Sequence, residues 1–227
     1  MTRQLEQELS ELKQKLLSMG GHAEASVTRA IQALVDRNDD LARQVKENDT
    51  IVDRHEIEVD EMAIHLLAKA PLASDLRFIT VAMKISQNLE RVADEACTIA
   101  RRSIELSQEP QLKPYVDIPR MASLALHMLK SALDAFVNRQ PEKARAIIPQ
   151  DKEVDLVNKQ LHRELSSFMV ENPSTISRCL NLMVISKSIE RIADHATNIA
   201  EEVVYLYEAR DIRHGGSEPP PAPAPNP

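Results

Sequence analysis

Two pairs of acidic residues occur at the same spacing in two parts of the chain. Glu90 and Asp94 are four positions apart, and so are Glu190 and Asp194. Residues i and i+4 of a helix lie on one face about 5–6 Å apart at Cβ, so each pair sets two carboxylates side by side. Such like charges repel and cost roughly 0.2–0.5 kcal/mol on an isolated helix. Because this unfavourable pairing of acids occurs twice, we predict that a cation lies between the carboxylates of each pair.

The acidic pairs belong to a longer internal repeat. The segment Leu89-Glu90-Arg91-Val92-Ala93-Asp94 recurs at an offset of 100 residues as Ile189-Glu190-Arg191-Ile192-Ala193-Asp194. At an offset of 102 residues the preceding segments also match, including Pro71 with Pro173. Self-similarity at a nearly fixed period indicates a repeated structural unit, so the chain is predicted to consist of two tandem copies.

The repeat reveals a second acidic pair in each copy. Asp49 and Asp53 recur as Asp151 and Asp155, again at i and i+4. Asp53 and Asp94 lie 18 and 23 residues from the proline turn between them, so the two pairs of the first copy are expected at similar heights on antiparallel helices. The predicted sites are Asp49, Asp53, Glu90 and Asp94 in the first copy and Asp151, Asp155, Glu190 and Asp194 in the second.

Four carboxylates from two helices form a donor set that contains only oxygen atoms. Such a set suits Mg, Mn, Ca or Fe better than a zinc site made of thiolates and imidazoles. The expected cofactors are divalent or trivalent metal ions, namely iron, manganese, magnesium or, as a further candidate, zinc. In the second copy Asn198 and His195 are candidate extra ligands, and Glu95 and Thr98 occupy those places in the first.

A structural interpretation of the acidic pairs stays open. Acid pairs at this spacing are common on solvated helices, and Arg91 and Arg191 directly follow the two glutamates. The two arginines point about 100° away from the glutamates on a helix, but a neighbouring helix could pair with them. In that case the carboxylates would be surface residues without a metal.

The spacing of apolar residues predicts a protein that is helical throughout. Apolar residues recur in steps of three and four, as at Leu5, Leu9, Leu12 and Leu16, which is typical of helices with one buried face. A kink or soft point is expected at Gly20-Gly21, and Pro149 is expected to interrupt the fifth helix just before Asp151. The predicted helices span about residues 5–36, 39–70, 73–107, 120–138, 142–171 and 174–209.

The fold class that follows is all-α, with six long helices arranged as two tandem three-helix bundles. Pseudo-twofold symmetry is expected, with the bundles joined end to end or side by side. The first repeat is assigned to residues 1–107, a linker to 108–119 and the second repeat to 120–210. Residues 211–227 are rich in proline and are expected to form a disordered or polyproline II tail.

Composition excludes several classes of protein. The 227 residues carry a formal charge of -7, which is unlike a basic surface for nucleic acid or for an anionic membrane. No apolar run is long enough for a membrane span, and no secretory signal opens the chain, so a cytoplasmic location is expected. Cys97 and Cys179 stand apart and are expected to be buried in a reducing compartment.

Known enzyme motifs are missing from the sequence. A di-iron carboxylate enzyme on a helical bundle requires Glu-x-x-His. The residues three positions before His55, His65, His127, His162 and His195 are Val52, Met62, Leu124, Lys159 and Ile192. Neither a glycine-rich phosphate loop nor a nucleophile–base motif is present. The sequence therefore gives no support to a di-iron oxidase or to enzymes that depend on these motifs.

Tandem three-helix units that each carry a Glu/Asp-x-x-x-Asp motif resemble the PhoU family of bacterial phosphate-signalling regulators. The resemblance covers about Leu5 to Ala209. Its specific parts are the two repeated segments at 89–94 and 189–194 and the stretch from Pro71 through Asp75-Leu76-Arg77. The proline-rich tail is not part of the family pattern.

The resemblance implies a non-enzymatic negative regulator of the phosphate regulon that binds multinuclear metal clusters through the acidic motifs. Its implied partners are the ATPase subunit of the phosphate ABC transporter and a sensor histidine kinase. A homodimer in the cytoplasm, associated with the inner membrane through these partners, is expected. Two other classes stay open, which are a structural helical adaptor without metal and a carboxylate-bridged metalloenzyme.

Overall fold

The structure is a computed structural model that describes residues 2–69 and 72–212. Throughout these ranges it contains helices and turns and no strand, so the all-α prediction is confirmed. Short 3-10 turns at Ile148–Gln150 and Pro173–Thr175 join some of the helices. The helices are α1 (Thr2–Asp36), α2 (Asp39–Leu67), α3 (Ala73–Ser107), α4 (Asp117–Asn138), α5 (Pro141–Ile147), α6 (Asp151–Glu171) and α7 (Ile176–Glu208).

The helices form two units that pack side by side. In the first unit α1, α2 and α3 all touch one another, and in the second unit α7 packs on α4, α5 and α6. The units meet where α3 packs on α7 and where α1 packs on α4, and each of these contacts pairs equivalent helices. This pattern is that of a pseudo-twofold axis, and the buried apolar residues form one continuous core across both units.

The turns after α1 and α4 show that the repeat extends to the backbone. Arg37 and Arg139 are equivalent in the two copies, and both are left-handed, with φ of 53° and 55°. After the first of these turns the Asn38 side chain accepts a hydrogen bond from the Leu41 N–H at 3.0 Å, which caps α2. The guanidinium of Arg37 donates to the Ser107 and Glu109 carbonyls and so fixes the end of α3.

Proline and glycine have different effects on the long helices. Pro149 lies in the 3-10 turn that divides the fifth predicted helix into α5 and α6, as expected from its missing N–H. In contrast, α1 runs without a break through Gly20-Gly21. A Cβ at Gly20 would lie 2.6 Å from Leu133 Cδ1, so this glycine lets α4 approach α1 closely instead of interrupting the helix.

The glycine pair provides a stability test of this packing. Gly21→Ala is expected to stabilise the protein by about 0.5–1 kcal/mol, because no atom of the described residues lies within 4 Å of the added Cβ and alanine favours the helix. Gly20→Leu is expected to destabilise it by about 1–3 kcal/mol through overpacking against Leu133. Urea denaturation of both variants measures the difference, and equal stabilities of the two variants would contradict the packing.

Some boundaries differ from the predictions. Helix α4 begins at Asp117, before the predicted start at residue 120, because Pro119 is tolerated in a first turn whose N–H groups have no helical partner. Helix α2 ends at Leu67, and the stop predicted at Ala70-Pro71 falls outside the described residues. Most of the predicted tail, residues 213–227, also falls outside them. No helix in the described ranges is long and apolar enough to span a membrane.

Candidate functional site

The predicted carboxylates of the first repeat influence one another's protonation between α2 and α3. Burial, followed by the charge of Asp53 and that of Asp94, raises the pKa of Asp49. Burial and the adjacent Asp94 also raise the pKa of Glu90 to about 7. The acids of α2 and of α3 therefore lie within electrostatic range of one another.

The second repeat reproduces this arrangement between α6 and α7. Burial and the charges of Asp155 and Glu190 raise the pKa of Asp151. Partial burial of the Asp194 carboxylate, together with the charges of Glu190 and Asp151, raises the pKa of Asp194 to about 6 although the residue as a whole stays exposed. All four predicted acids of the second copy therefore lie in one electrostatic neighbourhood.

Two further residues of the first repeat belong to this neighbourhood and were not predicted. Glu56 follows Asp53 by three positions, and burial, together with the charges of Asp60 and then Asp53, raises its pKa. Burial and the Asp49 carboxylate raise the pKa of the Cys97 thiol to about 12, so this thiol is protonated at neutral pH. Glu56 lies three positions after Asp53, and Cys97 lies three positions after Asp94. Each residue is therefore on the same helical face as the acidic pair that precedes it.

The repeat assigns their counterparts in the second copy. Asn158 corresponds to Glu56 at the offset of 102, and Thr197 corresponds to Cys97 at the offset of 100. We therefore define two clusters of six residues each. The first acidic cluster is Asp49, Asp53, Glu56, Glu90, Asp94 and Cys97. The second acidic cluster is Asp151, Asp155, Asn158, Glu190, Asp194 and Thr197.

Cationic side chains lie beside several of the carboxylates. Arg91 contacts Asp94 Oδ2 through Nη1 at 3.1 Å and Glu90 Oε2 through Nε at 3.3 Å. In the second acidic cluster Lys187 pairs with Glu190, and Lys159 Nζ lies 3.5 Å from Asp155 Oδ2. These ion pairs relieve part of the repulsion between the carboxylates. Arg191 is different, because its Nη1 reaches Glu95 Oε1 of the other repeat at 3.1 Å.

The second acidic cluster also holds buried oxygen atoms that lack a hydrogen-bond partner within the described ranges. They are Asp151 Oδ1, Asn158 Oδ1 and Thr197 Oγ1. A buried acceptor without a donor is costly, and a bound cation would satisfy it. The donor set of the cluster therefore fits a hard metal ion. As the side chains stand, however, no three His, Cys, Asp or Glu residues among those described are arranged to hold a metal ion.

Asn198, the further candidate ligand of the second repeat, makes a hydrogen bond to the other repeat. Its Nδ2 donates to Asn88 Oδ1 on α3 at 3.3 Å, and His195 Nδ1 lies 3.0 Å from the same oxygen. Both side chains therefore bridge α7 to α3. Sequence spacing places Asn198 four residues after Asp194 but does not show that this side of α7 packs against the other repeat.

The raised carboxyl pKa values lead to a test of stability against pH. Protonated Glu90 and Asp194 are favoured in the folded state, whose pKa values of about 7 and about 6 exceed the ordinary carboxyl values near 4. The resulting stabilisation is complete below the unfolded-state pKa and is lost as pH rises through the folded-state pKa. We expect metal-free protein to lose about 1–2 kcal/mol of stability between about pH 5 and pH 8, after allowance for solvent screening.

Thermal unfolding in the presence of a chelator measures this loss. Glu90→Gln is expected to reduce the pH dependence, because the variant lacks one titrating group. Glu47→Gln serves as the control, since Glu47 is an exposed acid of the same pair of helices. A metal-free protein that is equally stable or more stable at the higher pH would contradict the assignment.

The fold and its clusters define a class of protein in which tandem three-helix units each place acidic side chains on two facing helices. The sequence model of the PhoU domain matches this chain at residues 16–103 and 118–203. The chain belongs to the PhoU family. This result confirms the resemblance on which the sequence prediction was based.

Individual relatives agree with this assignment. The phosphate-specific transport system accessory protein PhoU homolog of Pseudomonas aeruginosa is 41% identical over 218 residues, which are 95% of this chain and 90% of the relative. The PhoU accessory protein of Escherichia coli K12 is 33% identical over 216 residues, which are 95% of this chain and 90% of the relative.

Solved structures of the family show the same fold. The crystal structure of PhoU from P. aeruginosa superposes with a TM-score of 0.87, covering 90% of this chain and 99% of that chain at 41% identity. The phosphate transport system regulatory protein PhoU from Streptococcus pneumoniae gives a TM-score of 0.86 at 29% identity, covering 92% of this chain and 99% of that chain.

Proposed function

We propose that the protein is a non-enzymatic negative regulator of the phosphate regulon. The observation that carries this proposal is the 41% identity, over 95% of the chain, to an accessory protein of the phosphate-specific transport system. The fold supports it, because long packed helices form a rigid body with large surfaces for partners. The name of the S. pneumoniae relative, which calls it a regulatory protein, points the same way.

The proposed partners are the ATPase subunit of the phosphate ABC transporter and the phosphate sensor histidine kinase. Through them a cytoplasmic homodimer would associate with the inner membrane and adjust phosphate uptake. Pseudo-twofold symmetry favours such a coupling role, since it provides two related surfaces on one rigid molecule. The differences between the two acidic clusters make these surfaces chemically distinct.

Metal binding is the second part of the proposal. Asp49, Asp53, Glu90 and Asp94 would hold metal ions in the first acidic cluster, and Asp151, Asp155, Glu190 and Asp194 would hold them in the second. A bound metal ion would supply positive charge that neutralises the facing carboxylates and links two helices of one unit. Support comes from the oxygen donor set, from the raised pKa values and from the buried Asp151 Oδ1, which has no hydrogen-bond partner among the residues described.

The two acidic clusters differ in a way that affects their metal affinity. The first contains Glu56, where the second contains neutral Asn158. The first also contains the thiol of Cys97, where the second contains the hydroxyl of Thr197. More negative charge strengthens binding of a hard cation, and sulfur favours softer ions. The first acidic cluster is therefore the tighter of the two proposed sites.

Deletion of the gene tests the regulatory role directly. In high phosphate the deletion is expected to cause constitutive expression of a phosphatase reporter that the wild type keeps repressed. A copy of the wild-type gene should restore repression. Unchanged repression in the deletion strain would reject the proposal. Complementation by the Glu90→Gln, Glu190→Gln double variant then shows whether repression depends on the acidic clusters.

One alternative has structural support of its own. The ion pairs of Arg91 with Glu90 and Asp94, and of Lys187 with Glu190, satisfy carboxylates within the chain. They favour a structural helical adaptor that regulates without metal. Metal analysis of the purified protein separates this alternative from the metal-binding regulator. A metalloenzyme would instead show turnover that is lost with Glu90→Gln or Glu190→Gln.

A further inference from the structure

A groove of about 540 Å³ lies at one end of the molecule, remote from the acidic clusters. It is enclosed by the N-terminal part of α1, the first turns of α3 and the C-terminal ends of α4 and α7. Its walls include Lys13, Arg77, Arg139, Phe78 and Tyr207. Along α3 the groove residue Phe78 is about 18 Å from Glu90, at 1.5 Å per residue.

The groove gathers three cationic side chains from three different helices or turns. Burial, together with repulsion from Arg139, lowers the pKa of Lys13, which shows that two positive charges are held close together. Within the described ranges, none of Lys13, Arg77 and Arg139 forms an ion pair with a carboxylate. Glu6 and Asp75 also line the groove but do not pair with these cations.

The interactions of the cations leave most of their donors available. Lys13 Nζ donates to the Val137 carbonyl at 2.8 Å, which uses one of its three N–H groups. The Arg77 guanidinium lies over the Tyr205 ring, 5.8 Å from its centroid. This cation–π contact does not use the N–H donors of the guanidinium as a hydrogen bond would. Tyr207 is anchored by a hydrogen bond from its hydroxyl to the Phe136 carbonyl at 2.9 Å.

Such a groove matches an anion with an attached apolar part. Its volume falls in the range of roughly 300–1,000 Å³ that is usual for small-molecule pockets. Planar guanidinium groups bind phosphate through two parallel hydrogen bonds, and the three cations of the groove outnumber its two carboxylates. Leu9, Phe78 and Leu206 form an apolar wall beside the cations.

We propose that this groove is a binding site for a phosphate-bearing small molecule, whose phosphate groups contact Lys13, Arg77 and Arg139. The site is independent of the acidic clusters and of metal. It gives a role to Arg77, part of the Asp75-Leu76-Arg77 stretch that the sequence resemblance includes and that the regulatory proposal leaves unused. A purely structural role is the competing explanation, in which Lys13 caps α4 and Arg77 only packs on Tyr205.

Calorimetric titration of the full chain tests the proposal. Metal is first removed with a chelator, so that no phosphate binds through a metal ion. The probes are orthophosphate, pyrophosphate, tripolyphosphate and ATP at low ionic strength. We expect at least one probe to bind, and we expect Arg77→Gln and Arg139→Gln each to weaken its binding about tenfold, as the loss of a charged hydrogen-bond pair implies.

Arg101→Gln is the matched control, because Arg101 is an exposed arginine on α3 away from the groove. Arg139 is also exposed, so Arg139→Gln is expected to fold normally, which thermal unfolding checks. Equal affinity for tripolyphosphate and ATP would show that the groove recognises the phosphate chain alone. Tighter binding of ATP would show that the apolar wall also contacts the ligand. Absence of binding by every probe at about 1 mM, or full affinity in Arg139→Gln, would overturn the proposal, as would equal weakening by Arg101→Gln.

Discussion

Divalent metal added to metal-free protein is expected to raise its melting temperature by about 5–10 °C. A ligand that binds only the folded state stabilises it by about 2.7 kcal/mol at a hundredfold excess over its Kd. For a chain of this size each kcal/mol shifts the melting temperature by about 2–4 °C. The metal would also relieve the repulsion that, after burial, raises the pKa of Glu90 and Asp194. Manganese, iron, magnesium and zinc are compared by differential scanning calorimetry.

A double variant shows whether the acidic clusters cause this stabilisation. Glu90→Gln with Glu190→Gln keeps the shape of both side chains and removes one charge from each cluster. We expect this variant to lose most of the metal-induced shift and to be more stable than the wild type without metal near pH 8. Glu47→Gln with Glu171→Gln removes two exposed acids as a control. A metal-induced shift that persists in the cluster variant would place the metal elsewhere.

Phe136→Ala is expected to cause the largest loss of stability from a single core substitution, about 3–5 kcal/mol. Phe136 is fully buried near the C-terminal end of α4, and its ring stacks on Phe78 of α3 with centroids 5.8 Å apart. It therefore joins the two units, and its loss leaves a cavity between them. Chemical denaturation measures the change in the free energy of unfolding.

The contrast with an exposed apolar residue makes this prediction specific. Val170 on α6 is 84% exposed, and Val170→Ala is expected to change the stability by less than about 0.5 kcal/mol. If the two substitutions had similar effects, Phe136 could not lie in a core shared by both units. Two separate unfolding transitions in the wild type would contradict the continuous core in the same way.

Periodicity and self-similarity made most of the fold predictable. The apolar spacing located every long helix, because a helix that buries one face imposes steps of three and four on its sequence. The repeat then fixed the tandem organisation, and the missing N–H of Pro149 marked the division between α5 and α6. These features are local or follow from comparing the two halves of the chain, so they need no knowledge of tertiary packing.

Features that depend on packing between helices were not predictable in the same way. Gly20 resembles a helix breaker in sequence, but its role is defined by Leu133 of another helix. Glu56 resembles one more solvated acid, and its electrostatic interaction with Glu90 and Asp94 depends on how α3 packs against α2. The hydrogen bond from Asn198 to Asn88 depends on the contact of α7 with α3, which the sequence does not show. The sequence also left open whether the two bundles pack side by side or end to end, because this arrangement depends on contacts between helices of different repeats.

Metal content per chain tests the central claim, that facing acidic clusters form metal sites, more directly than any other measurement. The metal content of protein purified without chelator is measured by elemental mass spectrometry. The Glu90→Gln, Glu190→Gln double variant and the exposed-acid control, Glu47→Gln with Glu171→Gln, are measured in the same way. Bound metal in the wild type and in the control, with a clear reduction in the cluster variant, is the predicted result. Metal-free wild-type protein, or equal metal content in all three proteins, would contradict the account.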